Sequence, residues 1–205
     1  MEHGTENQSR LKVKFPAEFI LFDFEYTAWE KSDERNWSGP GEHREIIQIG
    51  AIKVSATTLS ETDSLLDYVR PEKNPELSDF IIQLTGITQT DIESRGIPFS
   101  QALKKLEEFI GGLRAYCWGR DIEVLKENCE LLQVSTSLSS DHLTNLRPLM
   151  APIFLNLGVD IDAYSSGTLI QAFEDEPLLK AHDALNDMRN LLSAIRYVRE
   201  YVTIA

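Results

Sequence analysis

Cysteine is scarce in this chain of 205 residues, which carries only Cys117 and Cys129. Two thiols cannot build a disulfide framework, and by themselves they are too few for a zinc cluster. Both lie among apolar neighbours, which points to free thiols in a reducing compartment, the cytoplasm. Long hydrophobic runs are missing too. No stretch has the roughly 20 apolar residues that a bilayer-spanning helix needs, so no membrane association is expected. The opening MEHGTENQSR has no apolar core of the signal-peptide kind and reads as part of a flexible tail over residues 1–14. Positive charge is also short: 20 Lys and Arg against 33 Asp and Glu give a net −13. That argues against the broad basic footprint of an extended duplex binder. Two readings stay open for a nucleic-acid ligand. Basic residues could gather at one groove of an otherwise acidic surface, or a short strand could be held at its end with few phosphate contacts. Repeats and low-complexity linkers are absent as well. Residues 15–205, long enough to bury a full core, therefore read as one domain.

The patterns that are present place the elements. Residues 17–24 form a short apolar run that reads as a buried strand. Residues 30–44, rich in Gly, Pro, Ser and charge, read as a loop. Glu45–Val54 and Leu65–Val69 read as two further strands, and three strands in succession favour an antiparallel meander. Phe99, Ala102, Leu103, Leu106, Phe109 and Ile110 then recur at helical spacing, stopped by Gly111-Gly112. Arg114–Trp118 is a short strand candidate and Asp121–Leu132 a helix. Residues 142–157 hold a fifth strand and a helix, Gly167–Phe173 a short helix, and Ala184–Val202 the last helix. A meander followed by strands alternating with helices gives a mixed α/β sheet covered on both faces.

Three signals in this frame carry chemistry. The first strand ends in Asp23-Phe24-Glu25. Residues two apart on a strand share a face, so both carboxylates can reach one hard cation while Phe24 turns the other way. Asp121 opens an amphipathic helix after Trp118-Gly119-Arg120. His182-Asp183-Ala184-Leu185-Asn186-Asp187 precedes and enters the last helix. Five helical residues turn His182 and Asp187 about 140° apart, so they converge only if His182 sits in the loop before the helix. Each signal alone has an ordinary alternative: a strand exit, a helix cap, a helix entry. Together, four carboxylates and one imidazole in this order are the apparatus for metal-dependent phosphodiester hydrolysis.

At these residues the chain resembles the DEDDh 3′-to-5′ exonucleases, also called DnaQ-like, over about Phe15 to Val202. A narrower likeness is to the histone-mRNA and small-RNA 3′ exoribonuclease group. It rests on Glu45-Ile46-Ile47-Gln48-Ile49-Gly50, Tyr68-Val69-Arg70-Pro71, Leu77-Ser78-Asp79-Phe80 and Leu84-Thr85-Gly86-Ile87-Thr88. The resemblance implies an RNase H-like mixed sheet of five strands, a three-strand antiparallel meander plus parallel strands, flanked by helices. It implies two magnesium or manganese ions, with Asp23 bridging them, Glu25 and Asp187 completing one site and Asp121 supporting the other. It implies His182 as general base and single-stranded RNA or DNA, RNA favoured, as the substrate, shortened from its 3′ end to nucleoside 5′-monophosphates. Leu84, Thr85, Gly86, Ile87 and Phe24 are then expected along the terminal base, with Ile87 either a wedge against it or a core residue. Trp29 and Trp37, in the long stretch between Glu25 and Glu45, could offer stacking surfaces or cover the core. A proofreading-type DNA exonuclease, an oligoribonuclease and an inactive binding module on the same fold are the alternatives. The oligomeric state, a homodimer included, is left open.

Overall fold

The computed structural model describes residues 12–173 and 179–204. Residues 1–11 of the expected tail and the acidic run Glu174-Asp175-Glu176 lie outside the described residues. Seven strands are described: β1 (Val13–Phe15), β2 (Glu18–Tyr26), β3 (Ile46–Ser55), β4 (Ser60–Tyr68), β5 (Ala115–Cys117), β6 (Leu143–Asn145) and β7 (Val202–Ile204). The helices are α1 (Asp79–Thr85), α2 (Gln89–Arg95), α3 (Phe99–Ile110), α4 (Asp121–Leu132), α5 (Arg147–Asn156) and α6 (Ala184–Tyr197). The main sheet has the order β4-β3-β2-β5-β6. β2, β3 and β4 run antiparallel, whereas β5 and β6 join parallel to β2. This is the expected mixed five-stranded sheet.

The alternation of side chains along β2 decides where chemistry can occur. Ile20, Phe22 and Phe24 face one core, shared with Phe99, Leu103 and Leu106 of α3 and Val124 and Leu125 of α4. Phe19 and Leu21 face the other, packed with Leu185, Met188, Leu191 and Leu192 of α6. Asp23 and Glu25 continue the second row. The central strand is thus apolar on both sides until its C-terminal end, where the row facing α6 turns acidic. β3 follows the same parity: Ile52 and Val54 share the α6-side core, and Gly50 and Gln48 extend that row opposite Asp23 and Glu25.

The helices begin and end on local signals. Ser78 caps α1 by accepting the Ile81 N–H, and Gly86 ends it at φ 77°. Thr88 and Asp91 form a capping box on α2. α3 buries Phe99, Ala102, Leu103, Leu106 and Ile110 along one stripe before Gly111 stops it.

Several boundaries differ from the sequence reading: β4 begins at Ser60, well before the expected strand Leu65–Val69. The segment Gly167–Phe173 contains a 3-10 turn, Leu169–Phe173. The last helix ends at Tyr197, and Val202–Ile204 turns away as β7. Val13 and Lys14, assigned to the tail, form β1, which pairs parallel with β7. Neither short strand can be recognised alone, because each exists only through a partner at the far end of the chain.

Candidate active site

Three elements bring the acids together. β2 supplies Asp23 and Glu25, the start of α4 supplies Asp121, and the first turn of α6 supplies Asp187. All four are buried, at 8%, 8%, 5% and 3% exposure. Asp121 Oδ1 accepts the Phe24 backbone N–H at 3.3 Å, which ties the helix start to the strand end. Its cap-like position therefore serves the site as well.

His182 lies in the loop before α6, as the spacing required. Its backbone is left-handed, at φ 62°, a conformation that non-glycine residues seldom hold. Asp187 Oδ1 accepts the His182 N–H at 3.1 Å. Asp183 caps α6 by accepting the Asn186 N–H at 3.0 Å. Lys180 donates through Nζ to the Thr85 carbonyl at 3.0 Å and so ties this loop to the C-terminal end of α1.

Crowding the carboxylates shifts their titration. Burial, then the charges of Asp121, Asp187 and Glu25, push Asp23 well above the usual carboxylate range. Glu25 rises for the same reasons, burial first and then Asp187 and Asp121. Burial pushes Asp121 up to about 6, opposed by backbone N–H groups including that of Phe24. Burial pushes Asp187 up to about 7, opposed by the His182 N–H. Ser166 lies beside both Asp23 and Asp187, and its hydroxyl favours their ionised forms. Burial, and then the positive charge of Lys180, hold His182 below its ordinary value.

A group of buried acids that all resist ionisation is a site that gains by taking up a cation. Glu25, His182 and Asp187 each offer a ligand atom, all within 4.8 Å of one another. A donor set of carboxylate oxygens with one imidazole fits a hard divalent ion.

The acids floor a cleft of about 370 Å³ that also takes in His182, Phe24 and Leu84. Four other expected contacts lie off its walls. Thr85 is buried, with its hydroxyl bonded to the Ile81 carbonyl and receiving the Ile87 N–H. Gly86 ends α1. Ile87 packs in a small core with Ala28, Ile47 and Ile81. Trp29 sits in a tight turn closed by Ser32, and Trp37 takes the place at the cleft instead. The Trp37 indole donates to the Thr27 carbonyl at 3.0 Å and meets the Tyr26 ring edge-on. Trp118 is buried in the core against Phe154.

Sequence reasoning passed over Ser166, Phe80, Ile81, Tyr26, Arg120 and Arg147, all of which line the cleft. Phe80 sits inside a quoted motif and is exposed, so an aromatic within that motif was the available signal. Ser166 lies in a Ser- and Gly-containing turn that gives no such hint.

Residues 20–195 match the family model for exonucleases, RNase_T. The chain is 29% identical over 171 residues to mouse ERI1 exoribonuclease 2, covering 78% of this chain and 24% of that protein. It is 39% identical over 90 residues to human 3′-5′ exoribonuclease 1, covering 44% of this chain and 24% of that protein. The chain thus matches about a quarter of the length of these relatives. Among solved structures, the nuclease domain of 3′hExo, a DEDDh family member bound to rAMP, superposes with a TM-score of 0.74 at 23% identity. That match covers 92% of this chain and 94% of the other. Cell-death related nuclease 4 gives 0.74 at 17% identity, over 90% and 64%.

Proposed function

The chain belongs to the RNase_T exonuclease family, and from that premise we propose that it is a metal-dependent 3′-to-5′ exonuclease. Its substrate is single-stranded nucleic acid, RNA favoured over DNA, and its products are nucleoside 5′-monophosphates. The observation that carries this reading is the convergence of Asp23, Glu25, Asp121 and Asp187 with His182 at one cleft. The preference for RNA is supported by the relatives, which are exoribonucleases by name.

Asp23, Glu25, Asp121 and Asp187 would hold two magnesium or manganese ions. Bound there, the ions would lower the pKa of the attacking water and stabilise the departing 3′ oxygen. The chain's own residues supply the rest. His182, neutral because burial depresses its pKa, takes the proton of the attacking water on an imidazole nitrogen. The Asp187–His182 backbone bond holds that ring beside Glu25 and Asp187. Phe24, Phe80, Leu84 and Trp37 offer apolar walls for the terminal nucleotide, and Arg120 and Arg147 offer cations for its phosphates. Two cleft-lining arginines on a chain of net charge −13 suit a strand held near its end. The free thiols Cys117 and Cys129 suit a reducing compartment such as the cytoplasm.

The test is a time course on 5′-labelled single-stranded RNA and matched DNA with manganese or magnesium. A ladder shortening by one nucleotide from the 3′ end, absent in Asp23→Ala, is the expected result. No cleavage of either polymer, down to dinucleotides, would leave a binding module on the same fold.

A further inference from the structure

The strand pairing raises the question of what holds the third motif at the right distance from the first. Asp23 and Glu25 lie on β2, whereas His182 and Asp187 lie more than 150 residues later. Their separation depends on how α6 docks. β3 lies beside β2 under the same helix, and its residues opposite the two acids are Gly50 and Gln48.

Both contact the start of α6. Gln48 is fully buried, at 0% exposure. Its Nε2 donates to Asp183 Oδ2 at 3.1 Å, and its Oε1 accepts the Ala184 N–H at 2.8 Å. One side-chain amide thus grips two successive residues, the cap of α6 and its first residue. These are the residues between His182 and the turn that carries Asp187, whose own N–H bonds the Asp183 carbonyl at 2.8 Å. Gly50 supplies an independent constraint. A Cβ at position 50 would come within 2.3 Å of the Ala184 carbonyl carbon and the Leu185 nitrogen. The helix backbone therefore rests directly on the strand, with no side chain between them. Gly50 sets the height of α6 above the sheet, and Gln48 sets its position along β3.

We propose that Gln48 is a positioning residue for hydrolysis. By gripping Asp183 and Ala184 it registers His182 and Asp187 against Asp23 and Glu25. This rests on the exonuclease reading of the site. A side chain that served only to satisfy buried polar groups could be replaced at a cost in stability alone. A positioning residue should change the site in a protein that remains folded.

The experiment compares the wild type with Gln48→Met, which keeps the length but loses both hydrogen bonds. Gln48→Asn keeps the amide but withdraws it by one methylene, and covers the case in which the methionine variant does not fold. Ile195→Val, on the buried face of α6 away from the site, is the control for general loosening. Manganese affinity is measured by calorimetry well below each melting temperature. We expect affinity to fall about tenfold or more in the Gln48 variants, as for other residues that orient metal ligands, and to hold in Ile195→Val. At saturating manganese on single-stranded RNA, kcat should fall with KM unchanged, and the losses in Gln48→Met and His182→Ala should combine to less than their product, because Gln48 acts partly through His182. Wild-type manganese affinity in Gln48→Met, equal weakening in Ile195→Val, or losses that multiply in full with His182→Ala would each overturn the proposal. If the wild type binds manganese but cuts nothing, a fall in affinity in Gln48→Met still supports the positioning role, and it is the exonuclease reading that fails.

Discussion

Replacing Asp187 by Asn should stabilise the metal-free protein, although it removes a proposed metal ligand. Asp187 is almost fully buried and its pKa is pushed from 3.8 up to about 7, chiefly by burial. The sign follows from linkage. Between the two values the folded state binds more protons than the unfolded state, so stability falls as pH rises. The penalty is absent below the unfolded pKa and complete above the folded one. At about 1.4 kcal/mol per pKa unit, it reaches ~4 kcal/mol at pH 8, about 2 kcal/mol near pH 5, and vanishes below about pH 4. Asn cannot ionise, and its Oδ1 can still accept the His182 N–H that Asp187 accepts at 3.1 Å. In a chain of this size ~4 kcal/mol corresponds to a rise in Tm on the order of 10 °C. The assay is thermal unfolding in EDTA at several pH values, for wild type and Asp187→Asn. The gap should be widest at pH 8 and close as pH falls. Adding manganese at pH 8 should raise the Tm of the wild type far more than that of the variant. An Asp187→Asn protein no more stable than wild type at pH 8 without metal would refute the reasoning, because the strain assigned to the buried charge would not exist. Asp23, Glu25 and Asp121, also raised by burial, contribute in the same direction. His182, whose pKa is lowered, contributes oppositely in a window below 6.5.

Two further outcomes follow from the geometry. His182→Ala should lower kcat by about 10²- to 10⁴-fold, the usual range for a lost general base, while keeping most of its manganese affinity in calorimetry; a large loss of affinity would make the imidazole a ligand instead. In Gly167→Ala the new Cβ would lie 2.2 Å from Asp187 Oδ1 and 2.6 Å from its Cγ. The carboxylate must move, so metal affinity and turnover should both fall about tenfold or more with little change in the circular dichroism spectrum; unchanged manganese binding would show that the turn yields instead.

Much of this site was legible in the linear chain because its chemistry is written in residue types that fold-level packing seldom demands. An acidic pair closing an apolar strand at Asp23 and Glu25 breaks the hydrophobic pattern it belongs to. The same holds for a histidine just before a capped helix at His182 and Asp183. The residues expected along the terminal base are only partly at the cleft. Leu84-Thr85-Gly86-Ile87 is one contiguous motif, yet only Leu84 reaches the cleft, because the C-terminal turn of α1 buries Thr85 and Ile87 and spends Gly86 on the cap. Local sequence cannot separate a side chain that lines a wall from one that holds the wall up. Trp29 and Trp37 make the same point, since their roles depend on a turn closed by Ser32 and an indole bond to Thr27.

Residue order and periodicity alone determined the mixed sheet and the amphipathic helices, and singled out the five residues proposed to act on a phosphodiester. These depend on side-chain chemistry and on repeats of two and 3.6 residues, which are local properties. The tertiary structure decided how those five converge. It paired β1 with β7, set Ser166 against Asp23 and Asp187, and placed Gln48 under the cap of α6. Each of these joins segments far apart in the chain, and a contact of that kind leaves no periodic trace in the sequence on either side of it.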